Sequence, residues 1–172
     1  MSRSEAIDPA SVLDRLHLLL KRTLKQHYKG ALTRDGADIG LCRMNLETGV
    51  IEYSGANRPL IHIAGEEVNI VKGNKMSVGG WRSPKRPKRF SNQIVESKQG
   101  DILSVFSDGM VDQFGVHEGE ELKFGSQRLN DEFLLVKDKT LPEISEHIST
   151  TLRKWQGVKK QTDDMLMIGV RL

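Results

Sequence analysis

The feature that most constrains the fold is an apolar run that ends abruptly in a carboxylate and a glycine, at residues 100–109 (GDILSVFSDG). Such a run has the length and character of a buried strand that delivers Asp108-Gly109 at its tip. A second stretch of this kind closes the chain, where Asp163-Asp164 precede the apolar run 165–170 (MLMIGV). Two carboxylate-bearing turns on two buried strands are therefore the candidate chemistry of this chain.

Apolar periodicity places the helices and the strands in separate blocks along the chain. A first helix is predicted at 8–28, with Asp8 as its N-cap and Pro9 in its first turn. Its apolar stripe comprises Val12, Leu13, Leu16, Leu19, Leu20 and Leu24. Strands are predicted at 39–44, 50–54, 60–63, 68–71, 93–96, 102–106 and 165–170, a short helical segment at 110–114, and helices at 126–137 and 142–155. Blocks of strands and helices indicate an α+β fold, in which the last strand must return to the sheet begun before the helices.

The composition indicates one ordinary globular domain spanning residues 1–172. No apolar run approaches the roughly 20 residues that a membrane-spanning helix needs. The single cysteine, Cys42, excludes an internal disulfide and fits a cytoplasmic location. Because Cys42 lies in a strand pattern, we predict that it is a small core residue.

The positive charges are unevenly distributed, although the net charge is only +3. Five arginine and lysine residues lie within 82–89 (RSPKRPKR), inside a long irregular connection at 73–91. A solvated loop is the favoured interpretation, and a docking surface for an acidic partner is the alternative. The stretch has aromatic residues only at its edges, so nucleic acid is an unfavoured ligand.

Histidine and acidic residues elsewhere give no convincing ligand pattern. His62 stands alone between isoleucines and is predicted to be structural. The segment 115–125 is predicted to be a polar loop, whose His117, Glu118, Glu120 and Glu121 form a solvated face rather than a metal site.

Asp108 and Asp163 are the candidate metal ligands. Mg²⁺ and Mn²⁺ prefer oxygen ligands and bind through few protein carboxylates while keeping several waters. The alternative is that both residues only form turns, in which aspartate and glycine are common. Asp101, Asp112 and Asp164 are predicted to be mainly structural.

Four motifs in a fixed order favour metal ligands over simple turns for these two aspartates. They are 35–42 (DGADIGLC), 51–60 (IEYSGANRPL), 100–115 (GDILSVFSDGMVDQFG) and 161–165 (QTDDM). Together they strongly resemble the SpoIIE-type branch of the PPM metal-dependent serine/threonine protein phosphatases, from about residue 9 to the C-terminus.

The resemblance implies two mainly antiparallel β-sheets packed face to face with helices outside, and Mn²⁺ or Mg²⁺ in a cleft at one edge. It matches Asp108 and Asp163 to metal ligands, with Gly109 and Asp164 as secondary candidates. It assigns no catalytic residue beyond the ligands, and no catalytic role to the turn 55–57. It also implies a phosphoserine or phosphothreonine substrate on a small regulatory phosphoprotein of bacterial signalling, often an anti-sigma-factor antagonist.

The chain departs from the family pattern in one respect. Two acidic motifs that precede the first helix in the family, and supply the bridging aspartate and a second ligand, have no counterpart before Asp35. We therefore expect a domain that lacks the N-terminal strands, either a fragment or a naturally short form. Loss of these strands would open a sheet edge to self-association.

Two classes of function follow from these features. The first is a metal-dependent protein phosphatase with little or no activity as this chain alone. The second is a non-catalytic pseudophosphatase, a regulatory module that binds a protein partner, with the stretch 82–89 as a candidate contact surface.

Overall fold

The structure is a computed structural model that describes residues 8–26, 33–80 and 89–172. Its elements in chain order are α1 (Pro9–Thr23), β1 (Gly36–Ala37), β2 (Ile39–Met44), β3 (Ile51–Ala56), β4 (Leu60–Ala64), β5 (Glu67–Val71), β6 (Val78–Gly79), β7 (Gln93–Val95), β8 (Ile102–Phe106), α2 (Asp108–Asp112), β9 (Phe114–His117), β10 (Glu120–Lys123), α3 (Gly125–Val136), α4 (Leu141–Gln156) and β11 (Met167–Arg171). They fall into two compact units, Met1–Leu60 with Val71–Ser97, and Ile61–Ile70 with Lys98–Leu172. The predicted α+β class with mainly antiparallel sheets is confirmed.

The first unit contains α1 and a three-stranded antiparallel sheet in the order β2-β3-β7. The predicted hairpin of β2 and β3 is confirmed, with Ile39 opposite Ala56 and Met44 opposite Ile51. Within the predicted irregular connection, the short strand β6 pairs with β1. The core of this unit consists of Ala10, Leu13, Ala56, Met76, Val78 and Phe90.

Helix α1 begins as predicted but ends earlier, and only part of its predicted apolar stripe packs against the core. The Asp8 side chain accepts a hydrogen bond from the Ser11 amide at 3.0 Å, which caps the helix. The helix ends at Thr23, and residues 27–28 of the predicted helix lie outside the described ranges. Leu19, predicted in the buried stripe, is 60% exposed, whereas His17 is buried. His17 is retained inside because its Nδ1 accepts a hydrogen bond from the Gly79 amide at 2.9 Å.

The predicted burial of Cys42 is wrong, because this residue is exposed. It lies on β2, which pairs with β3 alone among the described strands. Side chains of such an edge strand lack cover on the open side, even where the partner strand is buried. Tyr53, which lies opposite Cys42 on β3, is fully buried.

The second unit is built on a four-stranded antiparallel sheet in the order β11-β8-β4-β5. The last strand does return to a sheet begun before the helices, as predicted, and pairs along the whole of β8. The core on this sheet includes Ile61, Ile63, Ile102, Phe106, Met110, Phe124, Leu129, Phe133, Val136, Ile144, Ile148 and Leu152.

Helices α3 and α4 lie close to their predicted positions. Ile144, Ile148 and Leu152 form the buried stripe of α4. Thr140 and Glu143 form a capping box at its start, in which Glu143 Oε2 accepts the Thr140 amide at 2.9 Å.

Two local predictions in this unit are corrected. The short helical segment is α2, which begins at Asp108 rather than at residue 110. The stretch 115–125 is a hairpin of β9 and β10 rather than a loop. Its two turn residues, Glu118 and Gly119, have φ values of 51° and 85°, as a tight two-residue hairpin turn requires.

A buried pair of polar side chains fixes the end of the sheet near the C-terminus. His62 Nε2 lies 2.8 Å from Asp101 Oδ2, which also accepts the Lys98 amide at 2.9 Å. Burial raises the pKa of Asp101, but the hydrogen bonds from His62 and Lys98 outweigh it and leave that pKa below its usual value. The predicted structural roles of both residues agree with this arrangement.

Candidate functional site

The two acidic turns meet at one end of neighbouring strands. β8 and β11 are antiparallel, and Phe106 at the end of β8 lies opposite Met167 at the start of β11. The segment that follows Phe106 therefore runs beside the segment that precedes Met167. These segments contain the predicted ligands Asp108 and Asp163, so the register of the sheet brings together the two motifs that the sequence singled out.

Ser107 connects the two segments through both its backbone and its side chain. Its amide donates a hydrogen bond to the Leu166 carbonyl at 2.9 Å. Its hydroxyl donates to the Asp164 carbonyl at 2.7 Å and accepts from the Leu166 amide at 2.9 Å. Three bonds from one residue extend the β8–β11 ladder beyond the strands and restrain the turn that carries Asp163.

Gly109 lies directly against the other acidic turn. A Cβ atom at this position would come within 2.4 Å of the Asp164 carbonyl oxygen and 3.1 Å of the Asp163 carbonyl carbon. Only a residue without a side chain allows this approach. The glycine of the Asp-Gly pair is therefore required for contact between the turns.

The two candidate carboxylates have different surroundings. Asp108 is half-buried at the start of α2, and Asp163 is exposed. Asp163 Oδ1 accepts the amide of Asp164 at 2.7 Å, and its carbonyl oxygen accepts the side-chain amide of Gln161 at 2.8 Å. The first bond holds the Asp163 side chain against its own turn and leaves further oxygen lone pairs for a ligand, and the second holds the backbone of the turn.

The carboxylates of Asp108 and Asp163 are the kind of ligand that a hard divalent cation binds, but two of them form only part of a coordination shell. Carboxylate oxygens are the ligands that Mg²⁺ and Mn²⁺ prefer, and one or two of them can suffice when water fills the other positions. Within residues 8–26, 33–80 and 89–172, no group of three or more histidine, cysteine, aspartate or glutamate side chains is placed to hold a metal ion. Asp108 and Asp163 stay the candidate protein ligands at this edge, with Gly109 and Asp164 as secondary candidates.

The other two acidic candidates differ: the Asp112 side chain is engaged elsewhere, and Asp164 contributes to this edge through its backbone. Asp112 forms an ion pair with Lys123, with the charged atoms 3.1 Å apart. The Asp164 backbone serves the contacts of Ser107 and Asp163 described above. These contacts agree with the predicted structural roles of Asp112 and Asp164.

The turn 55–57 in the first unit has a packing role. A Cβ on Gly55 would lie 2.3 Å from the Arg58 carbonyl oxygen, so the turn requires glycine there. The Asn57 side-chain amide donates to Asp38 and to Ser77, each at 3.0 Å. Of the basic stretch 82–89, residues 82–88 lie outside the described ranges, so its proposed contact role stays a prediction.

Sequence reasoning gave no role to two residues at the acidic edge. Ser107 could have been identified, since a small polar residue between an apolar strand and an Asp-Gly pair is well placed to bond a neighbouring strand. Gln113 could not have been identified, because two of the hydrogen-bond partners of its side chain lie 47 and 49 residues away in the chain. It is fully buried, and its side chain bonds the segment that leads to Asp163.

Comparison with known proteins identifies the family and the fold that this chain resembles. The family model Stage II sporulation protein E (SpoIIE) matches residues 2–172. The SiaA-PP2C domain of Pseudomonas aeruginosa is 26% identical, with a TM-score of 0.84 over 98% of this chain and 63% of that chain. The phosphatase domain of SpoIIE from Bacillus subtilis is 16% identical, with a TM-score of 0.60 over 99% of this chain and 76% of that chain.

A third similar structure is RsbX in complex with magnesium, which is 16% identical, with a TM-score of 0.57 over 94% of this chain and 63% of that chain. The chain thus spans less than two thirds of the length of two of these three structures. No curated protein matches it. Among the helices that the structure describes, none is both long enough and apolar enough to cross a membrane.

Proposed function

The chain belongs to the SpoIIE family, and from this premise we propose that it contributes the Asp108–Asp163 edge of a metal-dependent protein serine/threonine phosphatase. The single observation that carries the proposal is the meeting of the Ser107-Asp108-Gly109 turn with the Asp163-Asp164 turn, with Gly109 against the Asp164 carbonyl. The proposed substrate is a phosphoserine or phosphothreonine on a small regulatory phosphoprotein, of the kind that antagonises an anti-sigma factor. Signalling by dephosphorylation would be its biological role.

The proposed metal is Mn²⁺ or Mg²⁺, held by Asp108 and Asp163. Support comes from the carboxylate donors at this edge and from relatives solved with magnesium or after presoaking with Mn. When bound, such a cation activates water for attack and stabilises charge on a phosphoryl oxygen.

The residues of this chain have defined tasks in that chemistry. Asp108 and Asp163 supply negative charge and oxygen ligands at fixed points on α2 and on the turn before β11. Gly109 lets the two backbones approach, and Ser107 holds the turn of Asp163 in register through the bonds to Asp164 and Leu166. A site restrained in this way orients its ligands before the substrate arrives, which lowers the cost of ordering them later.

Hydrolysis of a phosphoserine peptide by the purified 172-residue chain tests the proposed activity. We expect slow hydrolysis that depends on Mn²⁺ and that is lost in both Asp108→Asn and Asp163→Asn. The rate should be low because two carboxylates hold a divalent cation more weakly than the fuller ligand set of the family pattern. Asp112→Asn is the matched control, since Asp112 lies on the same short helix but pairs with Lys123.

The second candidate function is a non-catalytic regulatory module that binds a protein partner. It is favoured by the lack of a three-ligand group in the described part of the chain. Absence of Mn²⁺-dependent hydrolysis at every metal concentration would support this alternative. Hydrolysis that persists in both aspartate variants would contradict the proposed site.

We also propose that the chain forms homo-oligomers through the open edge of β11. Within residues 61–70 and 98–172, β11 pairs with β8 alone. The alternate side chains Ile168 and Val170 of β11 are 53% and 48% exposed, and Leu166 just before the strand is 58% exposed. An unpaired strand with exposed apolar residues is a template for pairing with a second chain.

Light scattering after size-exclusion chromatography tests this association. We expect the mean mass to rise with protein concentration, and Ile168→Lys to return the chain to a monomer because an edge lysine opposes strand pairing. Val116→Lys is the matched control, since Val116 is similarly exposed but lies on β9. A monodisperse monomer over the whole concentration range would contradict the proposed association.

A further inference from the structure

Gln113 is a fully buried polar residue whose side chain bonds three backbone groups. Its amide nitrogen donates to the Phe114 carbonyl at 2.9 Å and to the Lys160 carbonyl at 3.1 Å. Its amide oxygen accepts the backbone N–H of Thr162 at 3.3 Å. Two of these three partners, Lys160 and Thr162, belong to the segment that precedes Asp163. The residues of this segment are exposed.

The backbone of Gln113 is itself firmly held. Its carbonyl oxygen accepts the Phe124 amide at 2.9 Å and the indole N–H of Trp155 at 3.1 Å. Trp155 packs edge-to-face on Phe124, with ring centroids 5.8 Å apart, and carries the Arg128 guanidinium 4.4 Å above its ring. A side chain that extends from such a rigid base loses little conformational freedom when it bonds the loop.

The positions of Ser107 and Gln113 in the chain are complementary. Ser107 precedes Asp108, and Gln113 directly follows the five-residue helix that begins with Asp108. Ser107 bonds Asp164 and Leu166, after Asp163, whereas Gln113 bonds Lys160 and Thr162, before Asp163. The segment that contains Asp108 therefore bonds the segment that contains Asp163 on both sides of that residue.

We propose that Gln113 is a positioning residue, which fixes the loop before Asp163 and thereby sets the distance between Asp163 and Asp108. The inference rests on the proposed function in so far as these two aspartates are the metal ligands. Glutamine suits the task because one planar group offers two donors and an acceptor, matching two carbonyls and one N–H. Glutamate at neutral pH offers no donor, and methionine fills a similar volume without any strong hydrogen bond.

Amide exchange measured by NMR on the full 172-residue chain tests the positioning directly. We expect Gln113→Met to raise the exchange rate of the Thr162 amide by roughly tenfold relative to the Leu166 amide, which stays bonded to Ser107. Gln113→Glu should raise this rate less, because its carboxylate repels the Phe114 and Lys160 carbonyls but still accepts the Thr162 N–H. Ile148→Ala is the control for general destabilisation, since it opens a core cavity without removing any of these bonds and should raise both rates alike.

Mn²⁺ affinity by calorimetry gives a second readout. We expect Gln113→Met to weaken binding by about 10–100-fold, the usual effect of losing a group that orients a metal ligand, with Ile148→Ala close to the unaltered chain. If the unaltered chain binds no Mn²⁺, the proposed metal site fails, while the Thr162 exchange rate still decides whether Gln113 positions the loop.

The positioning role is overturned if the Thr162 amide exchanges no faster in Gln113→Met than in Ile148→Ala. Should the buried substitutions prevent folding, Thr162→Pro removes the same N–H from the exposed side of the loop, with Thr162→Ala as its control. The proline variant is expected to weaken Mn²⁺ binding or, if no metal binds, to shift the NMR signals of the Asp163–Asp164 turn. Thr162→Pro matching Thr162→Ala in both measurements would also overturn the role.

Discussion

Replacing Asp108 or Asp163 by asparagine is expected to lower the affinity of the chain for Mn²⁺ by more than about tenfold, as each change removes a charged oxygen ligand. Both residues belong to turns that the β8–β11 register and the bonds of Ser107 hold side by side. Because asparagine keeps the size of aspartate, the effect should be one of charge rather than of packing. Isothermal titration of Mn²⁺ into the purified variants measures it.

The control variants Asp164→Asn and Asp112→Asn distinguish specific Mn²⁺ binding from non-specific attraction of the cation by nearby carboxylates. Asp164 contributes to the turn through its backbone, and Asp112 pairs with Lys123, so both variants should bind Mn²⁺ within about threefold of the unaltered chain. An equal loss in all four variants would indicate diffuse electrostatic attraction. No binding to the unaltered chain would favour the regulatory module over the phosphatase.

The acidic edge was predictable because its signals are local in the chain. An apolar run with strand character predicts β8, and a second predicts β11. Asp108 follows β8 and Asp163 precedes β11, each within a few residues of its strand. The requirement that the last strand return to an earlier sheet follows from the order of the blocks. The sequence did not reveal that β11 would be the immediate neighbour of β8, which is what brings the two turns into contact.

The failures of sequence reasoning concern neighbours that periodicity does not encode. On α1, apolar spacing alone favoured Leu19 for the interior. A polar contact with Gly79 instead makes burial of His17 favourable. On β2, an alternating pattern gave no sign that Cys42 would lie on an edge strand. Residue spacing defines a periodic face, but long-range contacts decide which part of that face is covered.

The hairpin of β9 and β10 was mispredicted as a loop because of its polar composition. Charged residues dominate the stretch 115–125, and this favoured a solvated loop. The deciding signal was the pair Glu118-Gly119, because a glycine at the second position suits a turn in which both residues have positive φ. The strands it joins are mostly exposed, so no apolar alternation accompanies them.

Gly109→Ala is expected to destabilise the chain by about 1–3 kcal/mol and to weaken Mn²⁺ binding in the same variant, because the new methyl group overpacks a tight backbone contact. The Cβ would lie 2.4 Å from the carbonyl oxygen of Asp164, which is backbone and cannot rotate away. Relief requires the Asp108 and Asp163 turns to separate, which strains the bonds from Ser107 to Asp164 and Leu166. Urea denaturation and Mn²⁺ titration of one preparation measure both effects.

Gly169→Ala provides the matched control for Gly109→Ala. Gly169 lies on β11, yet a Cβ there meets only Leu141 Cδ2 at 3.8 Å and the Leu103 carbonyl oxygen at 3.9 Å, both ordinary contacts. Because alanine restricts the unfolded chain more than glycine, Gly169→Ala should be neutral or stabilising by up to about 1 kcal/mol, with Mn²⁺ binding unchanged. If Gly109→Ala behaves in the same way, the turns are not in the close contact on which the proposed site depends. If it alone loses both stability and metal affinity, the missing side chain at residue 109 is what allows the two aspartates to act on one cation.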